Sequence, residues 1–251
     1  MSKILSIHSY RGGTGKSNTT ANLSTLLAAR GLTVGIVDTD IQSPGVHVLF
    51  GIEEEDMVYT LNDYLWGKIN IEQAAMDVTA RVKGRVSGKI FLVPSSVRTS
   101  EIARILREGY DVGLLNDGFH RLVEELGLDV LVIDTHPGLS EETLLSIAIS
   151  DILIIILRPD QQDYQGTGVT VEVARKLDVP QLLLLVNKVP TSFDFTAVRE
   201  QIEKTYDAEV VAVLPHSDEM MTLASAGIFV LRYPDNVVTA SLQQVANRLA
   251  Q

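Results

Sequence analysis

The chain has 251 residues, a formal net charge of −11 and no cysteine. Lack of cysteine excludes disulfides, thiolate metal sites and cysteine-ligated iron–sulfur clusters. An acid excess of this size argues against a general nucleic-acid binder, which neutralises phosphates with clustered Lys and Arg.

A hydrophobic content of 45% suits one α/β domain over residues 1–251. No apolar run reaches the roughly 20 residues of a membrane span, and no basic, apolar leader precedes the first strand. A soluble cytoplasmic protein is expected. In chain order, strands are predicted at Ile4–His8, Val34–Val37, Ile90–Val93, Val130–Ile133, Ile152–Leu157, Leu182–Val186 and Val210–Leu214. Most are continuously apolar, as strands covered on both faces are. The expected fold is therefore α/β, a mostly parallel twisted sheet of seven to eight strands with helices on both faces. Helices are predicted at Lys16–Arg30, Thr60–Leu65, Thr99–Glu108, Gly113–Leu126, Glu141–Ile149, Gln165–Leu177, Asp194–Lys204, Asp218–Ala224 and about Val238–Leu249. Ligands of such sheets gather at the carboxyl ends of the strands, and each polar cluster described next falls at such an end.

The first strand runs into Tyr10-Arg11-Gly12-Gly13-Thr14-Gly15-Lys16-Ser17, and a helical pattern leads out through Leu23, Leu26 and Leu27. Strand, glycine-rich turn and helix make a phosphate cradle: backbone amides turn inward, with the positive end of a helix dipole behind them. Lys16 adds a mobile charge for terminal phosphates and Ser17 a hydroxyl for Mg²⁺. The nucleotide would lie along Gly12, Gly13, Thr14, Gly15, Lys16, Ser17 and Asn18, giving the P-loop NTPase fold. The usual first glycine is replaced by Tyr10, so the loop is a variant.

The second strand ends in Asp38-Thr39-Asp40, two carboxylates that could hold a metal-bound water and orient the attacking water. A turn or cap is the plain alternative for such a pair; the phosphate loop one strand away favours the metal reading. Val130–Ile133 leads into Asp134-Thr135-His136-Pro137-Gly138, the Walker B pattern, with Asp134 backing the Mg²⁺ shell. His136 suggests a general base, but phosphoryl transfer depends mostly on positioning and electrostatics, so it reads better as a loop or interface residue. Asn187 suits an adenine edge, with a plain turn residue as its alternative, and Pro215 could pack flat on the base.

In this order the stretches resemble the ParA/MinD family of deviant Walker A ATPases, over nearly the whole chain. The loop K-G-G-x-G-K-[S/T] is matched by Arg11 to Ser17, the D-x-D by Asp38 and Asp40, and the D-x-x-x-G by Asp134 and Gly138. His136 stands where Pro is common. The adenine-side Asn and Pro are matched by Asn187 and Pro215. The resemblance implies ATP and Mg²⁺ as ligands, with Ser17, Asp38 and Asp134 at the metal and Lys16, Asp40, Asp38 and Arg11 in catalysis. It also implies a homodimer that sandwiches two ATP molecules, binds a surface in the ATP form and is released when a small adaptor on the cargo stimulates hydrolysis. Arg11 replaces the family's signature lysine, which crosses the dimer. Arg11 could act in trans like an arginine finger, Arg158 could substitute, or Arg11 could be a solvated loop residue. Loop, switch and length resemble a subgroup without that lysine that positions carboxysomes.

Which surface the ATP form would bind is read from charge. The tail stripe Val238, Leu242, Val245 and Leu249 has only Arg248 as a basic neighbour, so it reads as core packing rather than a membrane helix. Nonspecific nucleoid DNA is the expected surface, mainly from the resemblance. The best local patch is Arg81, Lys83 and Arg85, which alternate and would share one face of a strand or hairpin; a solvated hairpin is its plain alternative. Arg199, Lys204, Arg232 and Arg248 could add to a composite surface. Glu53–Asp56 reads as a solvated loop. A metabolic P-loop enzyme would need a second substrate pocket. A bacterial tyrosine kinase would need a basic residue shortly after the D-x-D, where Gln42 stands, and a tyrosine cluster at the tail, where Tyr233 is alone.

Overall fold

The apolar runs become strands of one eight-stranded sheet in the computed structural model, which describes residues 2–82 and 84–250. In chain order the elements are β1 (Lys3–His8), α1 (Lys16–Ala29), β2 (Thr33–Asp38), α2 (Val46–Leu49), α3 (Leu61–Leu65), β3 (Met76–Asp77), β4 (Lys89–Val93), α4 (Thr99–Glu108), α5 (Gly113–Leu126), β5 (Val130–Asp134), α6 (Glu141–Ala148), β6 (Ile152–Leu157), α7 (Gln161–Lys176), β7 (Gln181–Val189), α8 (Phe195–Tyr206), β8 (Glu209–Pro215), α9 (Asp218–Leu223), α10 (Phe229–Arg232) and α11 (Val237–Leu249).

The sheet order is β3-β4-β2-β5-β1-β6-β7-β8. Every pairing is parallel except the two-residue edge contact of β3 with β4. Because side chains alternate across a strand, Leu5 and Ile7 of β1 join Leu23 and Leu27 of α1 in one core layer. Ile4, Leu131 and Ile133 face the opposite layer, built on Leu115 and Phe119 of α5. Val238, Leu242, Val245 and Leu249 of α11 are buried in the first layer, so the tail stripe is core packing. Parallel alignment puts the carboxyl ends of β1, β2, β5, β7 and β8 along one edge, and register places Asp38 beside Asp134.

Three expectations are corrected. The basic alternation at 81–85 forms no strand: Thr79–Val82 is a 3₁₀ turn and β4 starts only at Lys89, while Lys83 lies outside the described residues. The segment closes on itself instead, the Arg81 amide donating to the Val78 carbonyl at 2.9 Å and the Arg85 amide to the Val82 carbonyl at 3.4 Å. Glu53–Asp56 is solvated as expected, but Glu54–Asp56 forms a 3₁₀ turn under a capping box rather than an irregular loop. Finally, α7 begins at Gln161, not Gln165, because Asp160 accepts from the Asp163 amide as its N-cap. That shift carries Asp163 into the first turn, where it bears on the site.

Candidate nucleotide-binding site

The loop between β1 and α1 needs glycine at two places. Gly13 has φ +76° and Gly15 φ +105°, a left-handed region that a Cβ disfavours. At Gly15 an added Cβ would also lie 2.5 Å from Asn187 Nδ2. No side chain caps α1, so its first amides, left without intrahelical partners, are available to an anion. Lys16 is only 7% exposed. Burial lowers its pKa, and the carboxylates of Asp134, Asp40 and Asp38 work against that fall. The ammonium thus lies in the combined field of three carboxylates.

Asp134 is fully buried, and both its oxygens are engaged from α1: Ser17 Oγ donates to Oδ2 (2.7 Å) and Thr20 Oγ1 to Oδ1 (2.8 Å). Thr20 follows Ser17 by three residues, one turn along the same helix face; that spacing could have revealed it in the sequence. Asp38, also fully buried, accepts the amides of Asp40 (3.1 Å), Gly45 (3.0 Å) and Val46 (3.1 Å). Burial raises the pKa of Asp38, and its neighbour Asp134 raises it further; burial likewise raises that of Asp134, opposed by Ser17 and Lys16. Two buried carboxyls side by side resist ionising together.

Asp40 is more open, at 15% exposed. Its Oδ1 accepts from His136 Nδ1 at 2.8 Å and from the Ser43 amide at 3.1 Å. The Gly138 amide donates to the Ser9 carbonyl at 3.2 Å. The two acidic loops are thus joined to each other by His136 and to the glycine loop by Gly138. Ser17, Asp38 and Asp134 offer hard oxygens only, the donor chemistry that Mg²⁺ takes, with waters and phosphates completing its shell. The oxygen-only donor set of the buried acid pair and the Ser17 hydroxyl, bonded to each other through Asp134, fits that ion.

On the other side of the loop, Asn187 Nδ2 donates to the Thr14 carbonyl (2.8 Å), and its Oδ1 accepts the Lys188 amide. Lys188, with φ +58°, turns its Nζ onto the Gly13 carbonyl at 2.7 Å. Asn187 therefore braces the loop directly. Pro215 ends β8 beside Val189 at the same edge, and Asn18 lies in the first turn of α1.

Arg11 and Arg158 converge on one acidic pair. Arg11 Nη1 lies 3.6 Å from Asp163 Oδ1 and 3.7 Å from Asp160 Oδ1. Arg158 donates its amide and Nε to Asp163 Oδ2, both at 2.9 Å. Asp163 is 2% exposed while the Arg11 side chain is 40% exposed. Tyr10 packs its ring on Gly166 of α7, where a Cβ would meet it at 2.1 Å. Asp160, Asp163, Thr20 and Lys188 were not singled out in the sequence; for the two aspartates, distance along the chain hid the contact.

A glycine-rich loop capping a helix, a lysine among three acids and a serine bonded to the Walker B aspartate define a P-loop nucleotide-binding protein. The ParA family model, described as an NUBPL iron-transfer P-loop NTPase, matches residues 1–250, and the chain belongs to that family. An uncharacterized ATP-binding protein of Methanocaldococcus jannaschii is 28% identical over 250 residues, covering 99% of this chain and 88% of that protein. The septum site-determining protein MinD of Pyrococcus horikoshii, solved with Mg-ADP, superposes with a TM-score of 0.79 at 22% identity, covering 99% and 96% of the two chains. Apo McdA of Cyanthece superposes at 0.74 with 20% identity, covering 99% of this chain and all of that one. These two structural likenesses establish the fold. Having no cysteine, this chain supplies no thiolate to an iron–sulfur cluster.

Proposed function

We propose that the protein is a positioning or partition ATPase that hydrolyses ATP to ADP and phosphate and works as an ATP-dependent dimer. The observation that carries this reading is the linkage of three loops through Ser17–Asp134, His136–Asp40 and Gly138–Ser9. A γ-phosphate entering the cradle would meet both acidic loops at once, so nucleotide state would be written into their conformation.

In this reading the amides from Gly12 to Asn18 hold the phosphates, and Lys16 moves from its acids onto the terminal ones. Mg²⁺ bound with ATP supplies charge neutralisation at the phosphates; Ser17 holds it, and Asp134 and Asp38 back its shell. Asp40 orients the attacking water, and its hydrogen bonds from His136 and the Ser43 amide fix its rotamer. Asn187 reads the adenine edge once ATP draws it from Thr14, and Pro215 covers the base. Arg11, partly exposed at the loop's outer side, reaches the partner subunit's phosphates, with Arg158 holding the acid pair it leaves. Residues 1–251 act as one unit.

The finer reading is a carboxysome-positioning role, with the ATP dimer riding nonspecific nucleoid DNA in the cytoplasm and a small adaptor on the cargo triggering release. It is supported by the resemblance of the loop and the D-x-D stretch to the subgroup without the signature lysine. No helix among the described residues is long and apolar enough to cross a membrane, and the amphipathic tail is committed to the core. Arg199 and Arg248 are paired with Glu203 and Glu209, so a DNA surface would be a composite made by dimerisation.

Asp40→Ala tests the chemistry. It should bind ATP, lose hydrolysis by about 10²-fold or more and accumulate as a dimer on sizing with Mg-ATP. A monomeric Asp40→Ala protein that still hydrolyses ATP would overturn the assignment. Retention on a DNA column against liposomes, with ATP and with ADP over a salt series, tests the surface; ATP-dependent, salt-sensitive retention on DNA alone is expected.

A further inference from the structure

Away from the nucleotide edge, a cleft of about 850 Å³ opens between α2 with its following turn and the segment from α9 through α10. Its lining is apolar at the base: Leu49, Phe50, Val82 and Ile228 are all buried. Its rim carries Arg81, Arg85 and Arg232 against the carboxylate of Glu53, with Asp56 beside it on Arg81, in a chain whose net charge is −11. Arg85 donates to the Leu231 carbonyl. Arg81 bonds the Gly51 carbonyl and pairs with Asp56, and Arg232 has no ion-pair partner among the described residues.

Both walls are hydrogen-bonded to the nucleotide site. The amides of Gly45 and Val46, which open α2, are held by Asp38 Oδ2. The Val230 amide of α10 donates to Asn22 Oδ1 of α1 at 2.8 Å, and Asn22 Nδ2 donates to the Asn18 carbonyl at 2.7 Å. The wall on the α9–α10 side is also strained: Ala224 (φ +48°) and Ser225 (φ +62°) are consecutive left-handed residues without glycine's freedom. Strain of this kind persists where the surroundings hold it, and it clusters at ligand clamps and switches.

We propose that this cleft is the docking site for a short acidic, apolar segment of a partner protein, and that its occupancy is coupled to the nucleotide through α2 and α10. The coupling rests on the nucleotide-site reading above; the docking does not. Apolar anchors of the segment fill the base, as in groove recognition of amphipathic peptides, and its carboxylates pair with Arg85 and Arg232. A DNA duplex fits less well, because its backbone needs open rows of cations, whereas here the floor is apolar and Glu53 and Asp56 stand at the rim.

The test is a phage-displayed library of random peptides of about twelve residues, panned on the nucleotide-free wild-type protein. Arg85→Glu/Arg232→Glu serves as one comparison, and Val48→Asp, at an exposed apolar position of the lining, as the other. Thermal melts and ATP affinity check that both variants fold. Recovered peptides should be rich in Asp, Glu and large apolar residues, bind at least about tenfold more weakly to either variant, and weaken with salt. Basic or neutral peptides, equal binding to the variants, no binders at all, or a DNA duplex whose binding is lost in Arg85→Glu/Arg232→Glu would each overturn the docking. Coupling is read by repeating the affinities with Mg-ATP, ATP binding being verified separately. A change of at least about threefold is expected, and an unchanged affinity with ATP bound overturns the coupling alone.

Discussion

Single side chains decide whether this site can work. Lys16 is the buried cation at the start of α1, while Arg11 lies partly exposed and Lys188 exposed in the same loop region. Lys16→Ala should lower ATP affinity by about 10²-fold, since a charge-assisted contact to a phosphate is worth roughly 1.5–3 kcal/mol and more when desolvated; equilibrium binding of a fluorescent ATP analogue measures it. His8, at the end of β1, is a second case. It is fully buried; its Nδ1 donates to Thr135 Oγ1 (2.8 Å), whose hydroxyl donates on to the Ile7 carbonyl, and Nε2 has no partner among the described residues. Burial, then the Lys16 charge, then His136, push its pKa down to about 3. An unfolded His takes a proton near pH 6.5, so between about pH 6.5 and 3 the unfolded state binds more protons. Stability from this residue is complete above pH 6.5 and is lost as pH falls, by about 1.4 kcal/mol per unit. Urea denaturation at pH 7, 6 and 5 should show this slope, and His8→Asn should flatten it. An equal slope in both proteins would place the protonation elsewhere.

At the scale of elements, the start of α7 shows how a helix boundary changes a site. Four more residues at its N-terminus bring Asp160 and Asp163 under Arg11 and Arg158. Asp163→Asn removes one charged acceptor from a buried position that receives the Arg158 amide and Nε, but the guanidinium groups keep solvent access. A loss of about 1.5–3 kcal/mol is expected, read as a lower urea midpoint at unchanged slope. Because this variant loosens the cis partner of Arg11, it should also strengthen the ATP-dependent dimer; a weaker dimer would show that Arg11 works from where it now sits. The strands were legible because continuous Leu, Ile and Val runs have only one comfortable place, a sheet covered on both faces, and their ends delivered Asp38, Asp134 and Asn187 to one edge. What could not be read follows from the same physics. Four-residue α2 and α10 and two-residue β3 carry no periodicity. The alternation of Arg81 and Arg85 imitated a strand, whereas their amides close local turns onto the Val78 and Val82 carbonyls. The contact of Arg11 with Asp163 joins residues distant in sequence, and only the β1–β6 pairing brings their loops together. The acids of the site were found as residue types at strand ends, whereas the bonds of Thr20 to Asp134 and of His136 to Asp40, and that of Lys188 to the Gly13 carbonyl, required the fold.

For the whole molecule, charge sets how two copies meet. Each chain carries −11, and in the proposed dimer each ATP would add more negative charge, so two approaching chains would repel at long range. The Debye length shortens from about 30 Å at 0.01 M salt to about 10 Å at 0.1 M, which removes most of that repulsion while leaving short contacts, such as an Arg11 guanidinium on a phosphate, much less screened. The ATP-dependent dimer should therefore tighten as salt rises from about 0.01 to 0.1 M, and level off above that. Retention on DNA should move the other way, because each neutralised phosphate releases counterions. Sedimentation of the Asp40→Ala protein with Mg-ATP over a salt series reads the first trend without turnover, and DNA-column retention of the same samples reads the second. Two trends of opposite sign identify net repulsion as the brake on dimerisation and local cations as the DNA contact. A dimer that weakens with salt from the start would instead mean that ion pairs across the interface outweigh the net charge. The first of those to examine would then be Arg11, released from Asp163 onto the partner subunit, with Arg11→Ala expected to abolish the salt dependence.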